Sequence, residues 1–182
     1  MLNSHYTIIF IIIIKNILDL NLICRYFYKL NMLYFLIKHI ILIMDIDKLK
    51  KKFPTYFPIN KLPKEAKEEE IEVFRACKYG FCDDSFLTTY EEYRIYKFKP
   101  KGYNEEYIGT YSMSCYEDIK DLNKMLRVSK IHSKYNNLVL SKGKTNIECG
   151  IILRANDVKK SGSHVDFWIY ENAKPIKYFE VI

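Results

Sequence analysis

Near the C-terminus, the run Ser163-His164-Val165-Asp166-Phe167-Trp168-Ile169-Tyr170-Glu171 collects side chains that could do chemistry. Its alternation predicts a strand, in which successive residues point to opposite faces. Val165, Phe167 and Ile169 would then form a core face. His164, Asp166, Trp168 and Tyr170 would share the other, bringing together an imidazole, a carboxylate, the only Trp of the chain and a phenol. Such a set suits a pocket that stacks a flat ring and exchanges a proton. It equally suits a sheet face covered by a helix, with its polar tips bonded to backbone.

Two further clusters stand upstream. Tyr111-Ser112-Met113-Ser114 falls at a predicted strand-to-helix junction, where two hydroxyls beside the first N–H groups of a helix could hold an anionic or sugar group. Simple capping by Ser114 accounts for the same pattern. Arg75 is the one charged residue on a strand that is otherwise apolar beyond Glu72. Pointing inward, it needs an anionic partner, either an internal carboxylate or a ligand phosphate.

In order, these elements resemble the arginine-serine-glutamate class of ADP-ribosyltransferases. Phe74-Arg75-Ala76 looks like the strand carrying that class's Arg, Ser112-Met113-Ser114 like its Ser-Thr-Ser motif, and Glu171 or Glu180 like its catalytic Glu. The resemblance covers residues 70–182. It implies NAD as cofactor, with Arg75 on the phosphates, Ser112 and Ser114 positioning Arg75 and the nicotinamide ribose, and Trp168 or Tyr111 stacking on nicotinamide. The Glu would stabilise the oxocarbenium-like charge that develops as nicotinamide leaves. Met113 stands where the motif has Thr, and Ile169 and Tyr178 stand where a Glu or Gln often precedes the catalytic Glu by two residues. The run from Phe-Arg-Ala to His-Val-Asp-Phe-Trp also resembles small proteins of low-GC bacteria and their mobile elements, which implies a cytoplasmic protein without a leader. The alternative is a non-enzymatic module, an inhibitor or adaptor, that binds a protein partner through the Trp168 and Tyr170 face.

The elements that would position these residues read as an α+β fold. Short helices are predicted over 45–52 and 64–69, with an extended stretch at 53–59 because Pro54 and Pro58 forbid a regular helix. A strand follows at 70–76, then a helix from Asp83 or Asp84 to about Tyr93 with Glu91 and Glu92 toward its outer face. A strand over 107–112, a helix over 116–128 capped by Ser114, and strands at 138–141, 150–154, 164–170 and 177–182 complete the pattern. Lys142-Gly143-Lys144 reads as a turn. Together these make a single compact domain over 44–182, with a mostly antiparallel sheet and two to three flanking helices.

Residues 1–43 are different material. They hold twelve Ile and eight Leu, with no Gly, Ala, Val, Glu or Pro. Four of the five absent types, together with Asp, have codons beginning with G. That composition reads as upstream AT-rich DNA translated ahead of a natural start at Met44. The alternative is a pair of membrane-associated helices, Ile8–Leu22 and Leu30–Ile43, interrupted by charges. Association with a membrane is expected only if this leader is part of the native protein.

The formal charge of +7 falls to +4 without the leader, and no long Lys/Arg block gives a nucleic-acid signal. Cys77, Cys82, Cys115 and Cys149 show no metal-ligand spacing. They read as free thiols in a reducing compartment, and no metal is expected.

Overall fold

Alternation between buried and exposed positions turns the hydrophobic runs into strands. β1 (Glu72–Cys77), β2 (Met113–Tyr116), β3 (Val139–Lys144), β4 (Gly150–Arg154), β5 (His164–Ile169) and β6 (Phe179–Val181) form one antiparallel sheet in the order β4-β5-β2-β1-β3-β6. With its helices this is an α+β domain. The computed structural model describes residues 26–38, 45, 48–97, 99, 103–129 and 135–182. The chain divides into two units, Met1–Lys50 and Lys51–Ile182, and the sheet lies wholly in the second.

In the first unit, residues 26–38 form helix α1, with its side chains exposed. The rest of the expected leader lies outside the described residues. Among the described residues no helix is long and apolar enough to cross a membrane. Of the helix expected over 45–52, residues 45 and 48–50 are helical.

One face of the sheet carries the core. Val73 and Cys77 of β1, Met113 and Cys115 of β2, Ile152 of β4 and Val165 and Phe167 of β5 meet Phe86, Cys149 and Phe179 there. The thiols of Cys77, Cys115 and Cys149 are buried. Burial lifts the Cys115 thiol to about 12, where it is inert. Helix α3 (Ile119–Val128) packs against β1 and β2 through Leu122 and Leu126, and Asp118 caps it by accepting from the Lys120 N–H.

Several local expectations are corrected. Residues 64–69 form no helix. The Lys67 N–H and C=O pair instead with Ile152 at 3.0 and 2.9 Å, so the free edge of β4 takes the groups that a helix would have used. The helix placed at Asp83 or Asp84 divides into a 3-10 turn, Asp83–Phe86, and helix α2 (Thr89–Tyr96). Its cap is Thr88, in a reciprocal capping box with Glu91. Residues 108–111 form a 3-10 turn rather than a strand, Ser114 lies inside β2 rather than at a helix cap, and α3 begins three residues later than expected at Ile119. Lys142-Gly143-Lys144 continues β3. A Cβ on Gly143 would sit 2.4 Å from the Phe179 ring and the Tyr178 carbonyl, so the glycine serves close approach of β6 and not a turn.

Candidate functional site

Arg75 answers the question its position raised, with neither of the two partners considered. It lies on the core face with Val73 and Cys77, is 7% exposed, and donates to three backbone carbonyls. Nε reaches Ser85 O at 2.6 Å, Nη1 reaches Ser114 O at 2.6 Å, and Nη2 reaches Leu87 O at 3.4 Å. The need for this is topological. β1 pairs with β3 along its whole length, from Glu72↔Lys144 to Cys77↔Val139, but meets β2 only at Phe74↔Tyr116. The two strands splay beyond that point, and the guanidinium bridges the gap and ties in the 3-10 turn. Those carbonyls also explain why no single helix starts at Asp83, since Ser85 O and Leu87 O accept from Arg75.

Ser112 and Ser114 divide their roles. Ser112 is fully buried, its Oγ donating to Gly109 O at 2.8 Å or to Asp166 Oδ1 at 2.6 Å. Ser114 is paired with Asp166 across the β2–β5 ladder and touches Arg75 through its carbonyl, with its side chain exposed on the opposite face of the sheet from Val73 and Cys77. The structure thus brings Arg75, Ser114 and Asp166 close together.

The two glutamates lie elsewhere. Glu171 follows β5 and lines a groove of about 390 Å³ with Tyr56, Asp83, Phe86 and Glu91, whereas Glu180 sits on edge strand β6 opposite Lys142. Neither lines the cavity that holds Arg75 and Ser114.

On β5 the expected alternation holds, but the polar-aromatic face is covered. Trp168 is fully buried and its Nε1 donates to Ile108 O at 3.1 Å. Tyr170 is 7% exposed, packs edge-on against Phe53 and donates to Glu68 Oε1 at 2.5 Å. Tyr111 is buried in a stack with Tyr90, its hydroxyl donating to Glu105 O at 3.3 Å. Only the His164 end is open, with Nδ1 4.0 Å from Asp166 Oδ2. Of the two readings the alternation allowed, the described one is the covered face, closed by the turn at 108–111 and the Phe53–Phe57 segment rather than by a helix.

Glu92 is the functional-looking residue that the sequence placed wrongly. Expected on the outer face of its helix, it is 6% exposed. It accepts from Lys78 Nζ at 2.7 and 3.0 Å and from the Tyr79 hydroxyl at 2.8 Å. The Thr88-x-x-Glu91 capping box is the sequence signal that would have set the helix start, and with it the face Glu92 occupies.

Tyrosine–carboxylate pairs recur: Tyr56–Glu91 at 2.7 Å, Tyr96–Asp84 at 2.6 Å, and the Glu92 and Glu68 pairs above. Burial first, and then the carboxylate each donates to, hold the Tyr56, Tyr79 and Tyr170 phenols far above their usual range. The hydrogen bond to Asp84 raises Tyr96 to about 12. A phenol that keeps its proton in the fold while the unfolded chain loses it makes stability fall as pH rises. The contribution of these groups is therefore fully present and pH-independent below about pH 10, and stability should decline steeply above it. Urea midpoints taken across that range, with phenolate absorbance recorded in parallel, check this; a flat profile beyond the unfolded tyrosine value would refute it.

No family model, curated protein or solved structure matches this chain.

Proposed function

We propose that the protein is a non-enzymatic binding module that holds a basic, partly apolar segment of a partner protein in the groove beside Glu171. The observation that carries this reading is the groove's composition. Phe86, Leu87 and Ile176 give it an apolar floor, Tyr56 an aromatic wall, and Asp83, Glu91 and Glu171 an acidic rim against the single Lys174. Among the described residues none of the three rim carboxylates is in an ion pair, although the chain as a whole is basic. A Lys or Arg side chain, with a long apolar stem and a cationic head, matches such a groove. The groove, which Tyr170 borders, replaces the Trp168 face as the binding surface, because Trp168 is fully buried.

Labelled peptides alternating Leu with Lys or Arg should bind in a salt-dependent manner by fluorescence anisotropy, and acidic peptides of the same length should not. The double variant Asp83→Lys/Glu171→Lys, with both positions exposed, should keep its fold and weaken binding by about tenfold or more. Equal binding by wild type and double variant would remove the groove from consideration.

The ADP-ribosyltransferase-like, NAD-using reading is the second; it is weakened because Arg75 meets Ser114 only through the backbone carbonyl and neither Glu171 nor Glu180 lines their cavity. It requires nicotinamide release from NAD that Glu171→Gln or Glu180→Gln abolishes. The binding-module reading expects no release.

A further inference from the structure

Helix α1, residues 26–38, is built almost entirely from side chains that a folded domain hides. Ten of its thirteen residues are large and apolar or aromatic, and each is exposed, from 47% for Ile37 to 69% for Tyr28. The other three are Lys29, Asn31 and Lys38, and the helix contains no acidic residue. Helical spacing sets Lys29 among Met32, Leu33 and Leu36, while Asn31 and Lys38 share another side. The polar groups therefore gather on no single face, and apolar surface runs round the helix.

A contiguous exposed apolar surface marks a place of contact. An apolar helix of about this length serves either as a core helix or as a segment held at a membrane surface, and the exposure of its side chains rules out the first. A groove on a protein would cover one side and leave the others in water. The boundary between lipid headgroups and acyl chains can take up apolar surface around most of the circumference. At 1.5 Å per residue α1 is about 20 Å long, short of the roughly 30 Å hydrocarbon core, so it fits that boundary and does not span the bilayer. Tyr26, Tyr28 and Tyr34 suit the headgroup level, where a ring is in an apolar medium and its hydroxyl is wet. Lys29 and Lys38 can extend their ammonium groups outward from a buried stem, and two cations without an acid favour anionic headgroups.

We infer that α1 docks the chain, with its first 43 residues in place, into the headgroup–acyl boundary of an anionic lipid bilayer. The surface lies in the first unit, apart from the sheet domain and its groove, so the inference is independent of the proposed function.

The test is flotation of the full 182-residue chain with vesicles of phosphatidylcholine and phosphatidylglycerol, with vesicles of phosphatidylcholine alone as the comparison. The chain should float with the anionic vesicles and bind the neutral ones at least tenfold more weakly. Leu30→Glu/Leu33→Glu/Ile37→Glu places three carboxylates along one side of α1 and should abolish flotation. All three positions lie outside the sheet domain, so its thermal unfolding should match wild type. Lys29→Glu/Lys38→Glu should remove the preference for anionic vesicles by about tenfold or more. Absence of flotation, equal binding to neutral vesicles, or unchanged binding by the triple variant each overturns the inference. A chain that forms a defined oligomer without lipid and stays off the vesicles also overturns it, since a second copy would then cover α1. Peptide binding in the groove is measured without vesicles, so failure of either reading leaves the other standing.

Discussion

Replacing Arg75 with Met is expected to destabilise the domain by about 3–5 kcal/mol, a large share of the total of roughly 5–15 kcal/mol that holds a domain of this size. Met keeps much of the stem volume and removes the guanidinium, so the loss reads out the polar contacts. The carbonyls of Ser85, Leu87 and Ser114 would each lose a charged donor. An unsatisfied buried acceptor costs about 1–3 kcal/mol. Lys at position 75 has one compact head in place of a planar fork and can serve only part of that set, so it should fall between wild type and Met. Urea denaturation monitored by circular dichroism gives the ordering. A Met variant within about 1 kcal/mol of wild type would mean that the splayed end of β1 does not depend on this bridge.

Trp168→Ala should cost a comparable amount, about 3–5 kcal/mol, because it empties a fully buried indole site in the sheet. It would also orphan Ile108 O, which accepts from Nε1 at 3.1 Å. Trp168→Phe separates the two effects: it retains most of the ring packing and loses the donor, so it should cost less than Ala, with about 1 kcal/mol from the hydrogen bond. On the open-face reading that the sequence also allowed, alanine at this position would have been a surface change that removes partner binding and leaves the fold intact. A Trp168→Ala protein as stable as wild type would restore that view.

The contrast between the two views of Trp168 shows how far local pattern reaches. Alternation along 164–170 assigned each side chain to a face correctly, because a strand's period of two follows from its own backbone. Whether a face is open depends on what packs over it. Here the cover comes from residues 108–111 and from Phe53, more than fifty and one hundred residues away in sequence, and nothing in the strand itself encodes their arrival. The Ser112-Met113-Ser114 motif failed as a helix entry for a related reason. Asp118 is the stronger N-cap, and pairing with β5 from Met113↔Phe167 to Tyr116↔His164 claims the preceding residues for the sheet.

Arg75 was recognisable as an inward-facing charge needing partners, and that much is set by its neighbours on β1. Which groups would satisfy it was not, since all three carbonyls belong to segments placed by the tertiary fold. Glu92 is the converse: a local shift of the helix start to Thr88 changes which helical face it occupies and moves a surface acid into a buried pair with Lys78.

By itself, then, the sequence determined five of the six strands, their inward faces and the antiparallel α+β class, because hydrophobic periodicity and turn chemistry act over a few residues, while β2 was read as a helix entry. The tertiary structure alone decided that Trp168 is core, that Arg75 bridges two splayed strands, and that Glu171 and Glu180 stand apart from it. Those outcomes rest on contacts between segments distant in the chain, where register and packing select partners that no local pattern specifies.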